Sequence, residues 1–158
     1  MQMNRYLTAA IVVALPMAVA AAQSDMDRPR WMANMARHQK VVMYGVPAPY
    51  STARDPLRDT PAKLRRGAAV FDQHCASCHG WRGEGGGPEG FFLVPAPADL
   101  EWLARAPRNR ADPYIYWSIA EGGKPFNSEM PAFKRTLSRQ EIWSVSAYLR
   151  SGMPHASP

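Results

Sequence analysis

The chain has 158 residues, a formal net charge of +6, 15 prolines and 11 glycines. This length excludes a large multidomain enzyme and favours one domain with appended segments. Hydrophobic residues make up 46% of the chain and charged residues 20%, which is enough apolar material for a core. The frequent prolines and glycines predict short helices joined by irregular loops.

The first segment, residues 1–22, has the pattern of a secretory signal peptide. Arg5 gives a basic start, residues 7–22 are apolar, and residues 18–22 offer small-x-small cleavage sites. Pro16 stands just before these sites, where it would interrupt a membrane-spanning helix. We therefore predict export to the periplasm or beyond, with an uncleaved anchor and membrane association as the alternative.

Cleavage after Ala22 would remove one basic residue, Arg5, and no acidic one. The remaining chain would hold 18 basic against 13 acidic side chains, a net charge of +5. This balance fits either general solubility or a basic face that steers acidic partners. Nucleic acid is disfavoured as a partner by the export signal and by the lack of a clustered basic helix, and we expect no small-molecule substrate.

Residues 23–59 form an N-terminal extension before the first strong helix signal. Trp31, Met35, His38 and Val42 follow one another at spacings of four, three and four, which predicts a short amphipathic helix. The prolines within residues 46–50 predict extended chain after it. The extension either folds over its own domain or serves as a docking arm for a membrane complex or a partner subunit.

A first helix of the main domain is predicted to begin at Thr60 and Pro61, a capping residue followed by proline at the first helical position. Leu64, Ala68 and Phe71 then fall on one face. This helix leads directly to the two cysteines of the chain.

Cys75 and Cys78 are followed at once by His79. A structural zinc site needs four ligands, and the four histidines do not supply the usual spaced second pair (His38, His74, His79 and His155). A thiol-disulfide site would need a strand and helix context that this sequence lacks. C-x-x-C-H is instead the signature of covalent haem attachment, because one helical turn brings both sulfurs to the vinyl edge and directs His79 to the iron. The motif predicts one covalent haem c.

The chain after the motif is predicted to wrap around the haem. Residues 80–98 contain six glycines and three prolines, and Asp99 can cap a short turn through Leu103. Asp112 and Pro113 predict a second helix start, with the helix over residues 114–121 stopped by Gly122.

A sixth iron ligand would decide what the haem does. A Met/His haem is closed and suited to electron transfer, whereas an open iron binds gases or peroxide. Met130 lies in a glycine and proline loop with Pro131 after it, so it belongs to no helical stripe. We predict Met130 as the ligand, with His38 or an open site as alternatives. The other methionines after residue 22 are explained as core fillers, extension residues or tail (Met26, Met32, Met35, Met43 and Met153).

A last helix opens with a capping box at Ser138 and Glu141 and ends near Gly152. Its apolar stripe comprises Ile142, Val145, Tyr148 and Leu149. No segment shows sustained strand alternation. The predicted fold class is an all-α, loop-rich bundle of short helices around one covalently bound haem.

Residues 60–152 resemble the class I c-type cytochrome family, with residues 153–158 left as a tail. The resemblance rests on the C-x-x-C-H motif, on Met130-Pro131, and on helix residues at matching positions (Gly67, Phe71, Trp143 and Tyr148). It implies that Cys75 and Cys78 carry the haem thioethers, that His79 is the proximal ligand and that Met130 is the distal one.

The resemblance also has implications for packing. The first and last helices of the domain would cross, and the small Gly67 would permit their close approach. A proline carbonyl would accept the second N–H of His79, and Pro88, Pro95 and Pro97 are the candidates.

The function expected from these features is one-electron transfer between exported or membrane-bound redox proteins, with the haem as the working group and no enzymatic activity. Two alternatives stay open. The first is a five-coordinate haem protein, either a peroxidase or a gas sensor. The second is a permanent cytochrome subunit of a respiratory complex.

Overall fold

The computed structural model describes residues 35–154, so the predicted signal peptide, Trp31 and His155 lie outside the described residues. Within this range there are five α-helices and no strand, which confirms the all-α prediction. The helices are α1 (Ala36–Tyr44), α2 (Pro61–His74), α3 (Ala76–His79), α4 (Arg108–Glu121) and α5 (Arg139–Arg150). Short 3-10 turns lie at Tyr50–Thr52, Gly90–Phe92, Glu101–Ala104 and Lys124–Phe126.

Helices α2 and α5 begin where the sequence predicts. The Thr60 hydroxyl accepts a hydrogen bond from the backbone N–H of Lys63 at 3.2 Å, and Pro61 occupies the first helical position. Ser138 and Glu141 form the complete capping box, each side chain accepting from the other's backbone N–H. All four residues of the predicted α5 stripe are buried.

The two helices cross at Gly67. A Cβ atom built on Gly67 would stand 2.0 Å from the carbonyl oxygen of Ser144 on α5, so only glycine allows this approach. One turn further on, the rings of Phe71 and Tyr148 meet with centroids 5.7 Å apart, and both side chains are fully buried. The expected crossing of the first and last helices of the domain is confirmed.

Helix α4 begins at Arg108, six residues before the predicted span 114–121, and Pro113 lies inside it. The predicted start at Asp112 and Pro113 is therefore wrong. The Asp112 carboxylate does not cap a helix, because it is 2% exposed and pairs with the guanidinium of Arg150 at 3.1 Å. Pro113 has no N–H to donate, so the helix lacks one backbone hydrogen bond at this position.

Helix α1 lies against the main domain. The His38 ring contacts the rings of Trp102 and Tyr114 at centroid distances of 5.6 and 6.4 Å. Val42, predicted on the same face, is 72% exposed, so that part of the prediction is wrong. The face turned to the domain includes Arg37 and His38, so the described part of the extension, residues 35–59, lies against its own domain.

The chain after α1 turns instead of running extended as predicted. The Tyr50 N–H donates to the carbonyl of Pro47 at 2.9 Å and opens a 3-10 turn. The Tyr50 hydroxyl bonds to the carboxylate of Glu121 at the end of α4. Burial, followed by the hydrogen bond and charge of Glu121, raises the pKa of Tyr50 to about 12. The hydroxyl therefore stays protonated and able to donate.

An ionic cluster joins the end of the extension to three helices. The buried ammonium of Lys63 pairs with Asp55 and, at 3.2 Å, with Asp59. Asp59 also pairs with Arg108 and, at 3.0 Å, with Arg150. Burial alone would raise the pKa of Asp59, but the hydrogen bonds from Lys63 and Arg108 and the charge of Arg150 bring it below its usual range.

Among residues 35–154, no helix combines the length and apolarity needed to cross a membrane.

Replacing Gly67 by alanine tests the helix crossing. Helix propensity alone would make Gly67→Ala stabilising by about 1 kcal/mol. The contact with the Ser144 carbonyl is expected to outweigh this and to lower the free energy of unfolding by about 1–3 kcal/mol. Urea unfolding of the haem-loaded protein measures the change, with the exposed Arg65→Ala on the same helix as a control expected within about 0.5 kcal/mol of wild type. A Gly67→Ala protein as stable as wild type would contradict the crossing.

Candidate haem site

One cavity brings together the four residues predicted to hold a haem. Cys75, Cys78, His79 and Met130 all contribute to its lining. The other walls are largely apolar and come from the loop after α3 and from helices α2, α4 and α5. The apolar side chains in them include Phe71, Leu100, Leu103, Ile115, Ile119 and Val145. The sequence therefore identified residues that the fold places around a single apolar space.

Helix α3 presents the two cysteines. The N–H of Cys75 still bonds to Phe71 at the end of α2, while the carbonyl of Cys75 accepts from Cys78 at 3.1 Å and from His79 at 2.8 Å. The cysteines are thus one turn apart, and they are not joined in a disulfide. Burial, followed by the nearby Cys78 and Asp72, raises the pKa of Cys75 to about 12. Before haem attachment, Cys75 is therefore a neutral thiol in an apolar wall.

His79 is oriented by a backbone carbonyl. Its Nδ1 lies 2.9 Å from the carbonyl oxygen of Ala98. Since a carbonyl only accepts, Nδ1 carries the proton and Nε2 keeps a free lone pair that can bind a metal. Burial lowers the pKa of His79 and the charge of Arg37 adds to this, although the bond to Ala98 acts in the opposite direction. The neutral, ligating form is favoured.

The expected proline carbonyl is not the partner of His79, so the prediction of Pro88, Pro95 or Pro97 is wrong. The Pro97 carbonyl oxygen lies against the glycine-rich loop, 2.6 Å from where a Cβ of Gly85 would stand. The carbonyl of the next residue, Ala98, is the one that accepts from the imidazole.

Met130 stands in a loop that is closed at its base. The N–H of Gly123 donates to the carbonyl of Met130 at 2.8 Å, and the N–H of Ser128 donates to the carbonyl of Gly123 at 3.2 Å. Gly122 ends α4 with a φ of +67°, as predicted for the stop. These bonds hold the methionine at the cavity.

His38, the competing ligand candidate, packs on Trp102 and Tyr114 and does not line the cavity.

The glycine-rich loop satisfies the carbonyls of the haem-attachment helix. Gly85 donates its N–H to His79 at 2.7 Å, Gly87 donates to Cys78 at 3.1 Å, and Glu89 donates to Ser77 at 2.8 Å. The Asp99 carboxylate accepts from the N–H of Glu101 at 2.8 Å at the start of the following turn, although Leu100 and not the predicted Asp99 is in the N-cap position. The loop fixes α3 from outside.

Several residues of the site or its support carry no local sequence signal. Arg37, Tyr114 and Ser118 line the cavity, although Arg37 comes from the extension. Met153, predicted to lie in the tail, is 3% exposed and packs over Gly83. Its position directly after the capped end of α5 is the one feature that could have placed it in the core.

The donor set fits a haem better than a metal ion bound by side chains alone. In the part of the chain that the structure describes, no group of three or more His, Cys, Asp or Glu could hold a metal ion. One imidazole, one thioether and two thiols around a largely apolar cavity match the needs of a covalent haem with two axial ligands.

A family model and one curated relative agree with this chemistry. A family model described as cytochrome c matches residues 64–152. The chain is 35% identical over 91 residues to the cbb3-type cytochrome c oxidase subunit FixP of Sinorhizobium medicae (strain WSM419), covering 54% of this chain and 28% of that subunit. A chain of the reducing HAO-like protein complex of Kuenenia stuttgartiensis is 25% identical with a TM-score of 0.49, covering 73% of this chain and 55% of that one.

Two adjacent glycines provide a matched test of the loop. A Cβ on Gly87 would stand 2.4 Å from the carbonyl oxygen of Ser77 in α3, whereas a Cβ on Gly86 would meet nothing nearer than 3.6 Å. We expect Gly87→Ala to destabilise the haem-loaded protein by about 1–3 kcal/mol and Gly86→Ala to be neutral or slightly stabilising. Urea unfolding followed by circular dichroism measures both. Equal effects of the two substitutions would show that the loop does not rest on α3.

Proposed function

The chain belongs to the cytochrome c family and carries a covalent haem c, and we propose that it passes single electrons between redox proteins outside the cytoplasm. In this proposal Cys75 and Cys78 form the thioether bonds, and His79 and Met130 are the two axial ligands of the iron. The haem supplies the redox chemistry, and the protein supplies attachment, ligation and an apolar surrounding.

The observation that carries the proposal is the convergence of these four side chains on one cavity, with His79 held by Ala98. The bond at Nδ1 directs Nε2 away from the backbone and makes the imidazole a better donor. Two thiols one turn apart suit attachment of a single porphyrin edge. The positions of the four side chains thus support attachment by Cys75 and Cys78 and ligation by His79 and Met130.

Met130 distinguishes an electron carrier from an open haem. The loop that bears it is closed by bonds between Gly123, Ser128 and Met130 itself, which limits movement of the thioether away from the cavity. A methionine held there would occupy the position that a gas or peroxide needs. This arrangement favours electron transfer over the five-coordinate alternative.

The partners and location follow as parts of the same proposal. The N-terminal residues 1–22 have the pattern of a signal peptide, which supports a periplasmic or exported protein. The relative from Sinorhizobium medicae is a subunit of a cytochrome c oxidase, although this chain covers only 28% of its length. We propose a respiratory redox complex as partner, either visited briefly or joined permanently.

Replacement of Met130 by alanine tests the ligand assignment. The oxidised wild-type protein should show a weak near-infrared sulfur-to-iron band, and Met130→Ala should lose it and gain carbon monoxide binding in the reduced state, because the sixth position is opened. Met43→Ala is the control, since Met43 is 70% exposed on α1. The control should keep the band.

Two outcomes would contradict the assignment. A band that survives in Met130→Ala would make another methionine the ligand. Ready carbon monoxide binding by the reduced wild-type protein would favour an open iron and hence a sensor or a peroxidase.

Purification from native membranes tests whether the protein is a permanent subunit of a respiratory complex or a shuttle that binds it briefly. After detergent solubilisation, a permanent subunit should copurify with a respiratory complex through affinity and size-exclusion steps in both low and high salt. A shuttle should separate from the complex, and more completely at high salt. Weak redox encounters depend on attraction between surface charges, which salt screens. Recovery of the protein as a free species with no redox protein at any salt would contradict a permanent subunit.

A further inference from the structure

Arg37 of the extension reaches the cavity that the proposed function assigns to the haem. It lines this cavity although it lies outside residues 64–152, the part that matches the family. Its guanidinium donates to the carbonyl of Gly122 and stands over the rings of Trp117 at 5.5 Å and Phe126 at 5.1 Å. The side chain therefore connects α1 with the end of α4 and with the loop that carries Met130.

The charge of Arg37 has no anionic partner among residues 35–154. The ion pairs of this range do not include it, and the only acidic residue lining the cavity, Glu129, is exposed and does not pair with it. Burial lowers the pKa of Arg37, and the neighbouring Tyr114 acts the other way. A guanidinium remains charged at any pH at which proteins fold, and a carboxylate placed beside Arg37 would offset the cost of its partial burial.

Haem c brings two carboxylates of its own, the propionates, on the porphyrin edge away from the vinyl groups. The planar guanidinium can donate two parallel hydrogen bonds to such a carboxylate. Tyr114 and Ser118, one turn apart on α4, also line the cavity, and the buried Ser118 hydroxyl has no hydrogen-bond partner within residues 35–154. The polar part of the cavity thus includes one cation and two hydroxyls.

We propose that Arg37 is the counter-ion of a haem propionate, so that the N-terminal extension completes the haem site. The proposal rests on the proposed function in one respect, the residence of the haem in this cavity. Arg37 acts as a positioning residue: it holds α1 against the domain and neutralises the propionate. A positive charge here disfavours the ferric state, which carries one more positive charge than the ferrous state, and so raises the reduction potential.

Redox titration of the haem-loaded protein tests this with three variants. In Arg37→Met, the ferrous-to-ferric ratio at a fixed ambient potential should fall on the order of tenfold, equivalent to ~59 mV for one electron. Arg37→Lys should recover part of the loss, because it keeps the charge without the planar pair of donors. Lys40→Met removes one charge from the same helix without lining the cavity and should shift the ratio much less.

A reduced-minus-oxidised infrared spectrum gives a readout of the propionates themselves. Carboxylate bands present in wild type should move in Arg37→Met and stay in Lys40→Met. An unchanged ferrous-to-ferric ratio in Arg37→Met would overturn the proposal, as would equal shifts of that ratio in Arg37→Met and Lys40→Met. Carboxylate bands that do not move in Arg37→Met would also overturn it. The near-infrared sulfur band, recorded on the same samples, reports separately on Met130, so a failure of the ligand assignment is distinguishable from a failure of Arg37.

Discussion

The close approach of α2 and α5 at Gly67 is the constraint on which the rest of the structure depends. Cys75 follows α2 directly, so the position of that helix decides where the haem-attachment helix begins. From the other side, α5 contributes Val145 and Leu149 to the cavity wall. A single backbone contact therefore fixes both the attachment point and part of the surrounding wall. The burial of large side chains around it, each worth about 1.5–3 kcal/mol, makes the crossing stable.

The extension is held by a different kind of interaction. Helix α1 has no buried residue, so apolar area contributes little to its position. Directional polar bonds take that role instead: Arg37 to Gly122, Tyr50 to Glu121, and Asp55 to the buried Lys63. Because each bond has its own geometry, together they specify one placement of a segment that lies on an already closed core.

Local signals explain which parts of the fold could be predicted from sequence. Thr60 and Ser138 cap helices by bonding to residues only three positions further along the chain. Both partners of each bond are therefore visible in a short stretch of sequence. Asp112 looked like a third cap, but its partner is Arg150, and a contact over that separation overrides the local preference. The haem motif and Met130 can be predicted from sequence because each carries its chemistry in residue type and immediate neighbours. The carbonyl of Ala98 and the side chain of Arg37 have no such signature, since only the folded chain brings them to the site.

Those two contacts act on the reduction potential in opposite directions. In the proposed assignment, the bond from His79 to Ala98 makes the imidazole a stronger donor, which favours the ferric iron and lowers the potential. The thioether of Met130, the apolar wall and the charge of Arg37 all favour the ferrous iron and raise it. The axial ligands alone therefore do not determine the potential of this cytochrome. In this assignment, the carbonyl of Ala98 and the guanidinium of Arg37, which lies outside residues 64–152, adjust the potential in opposite directions.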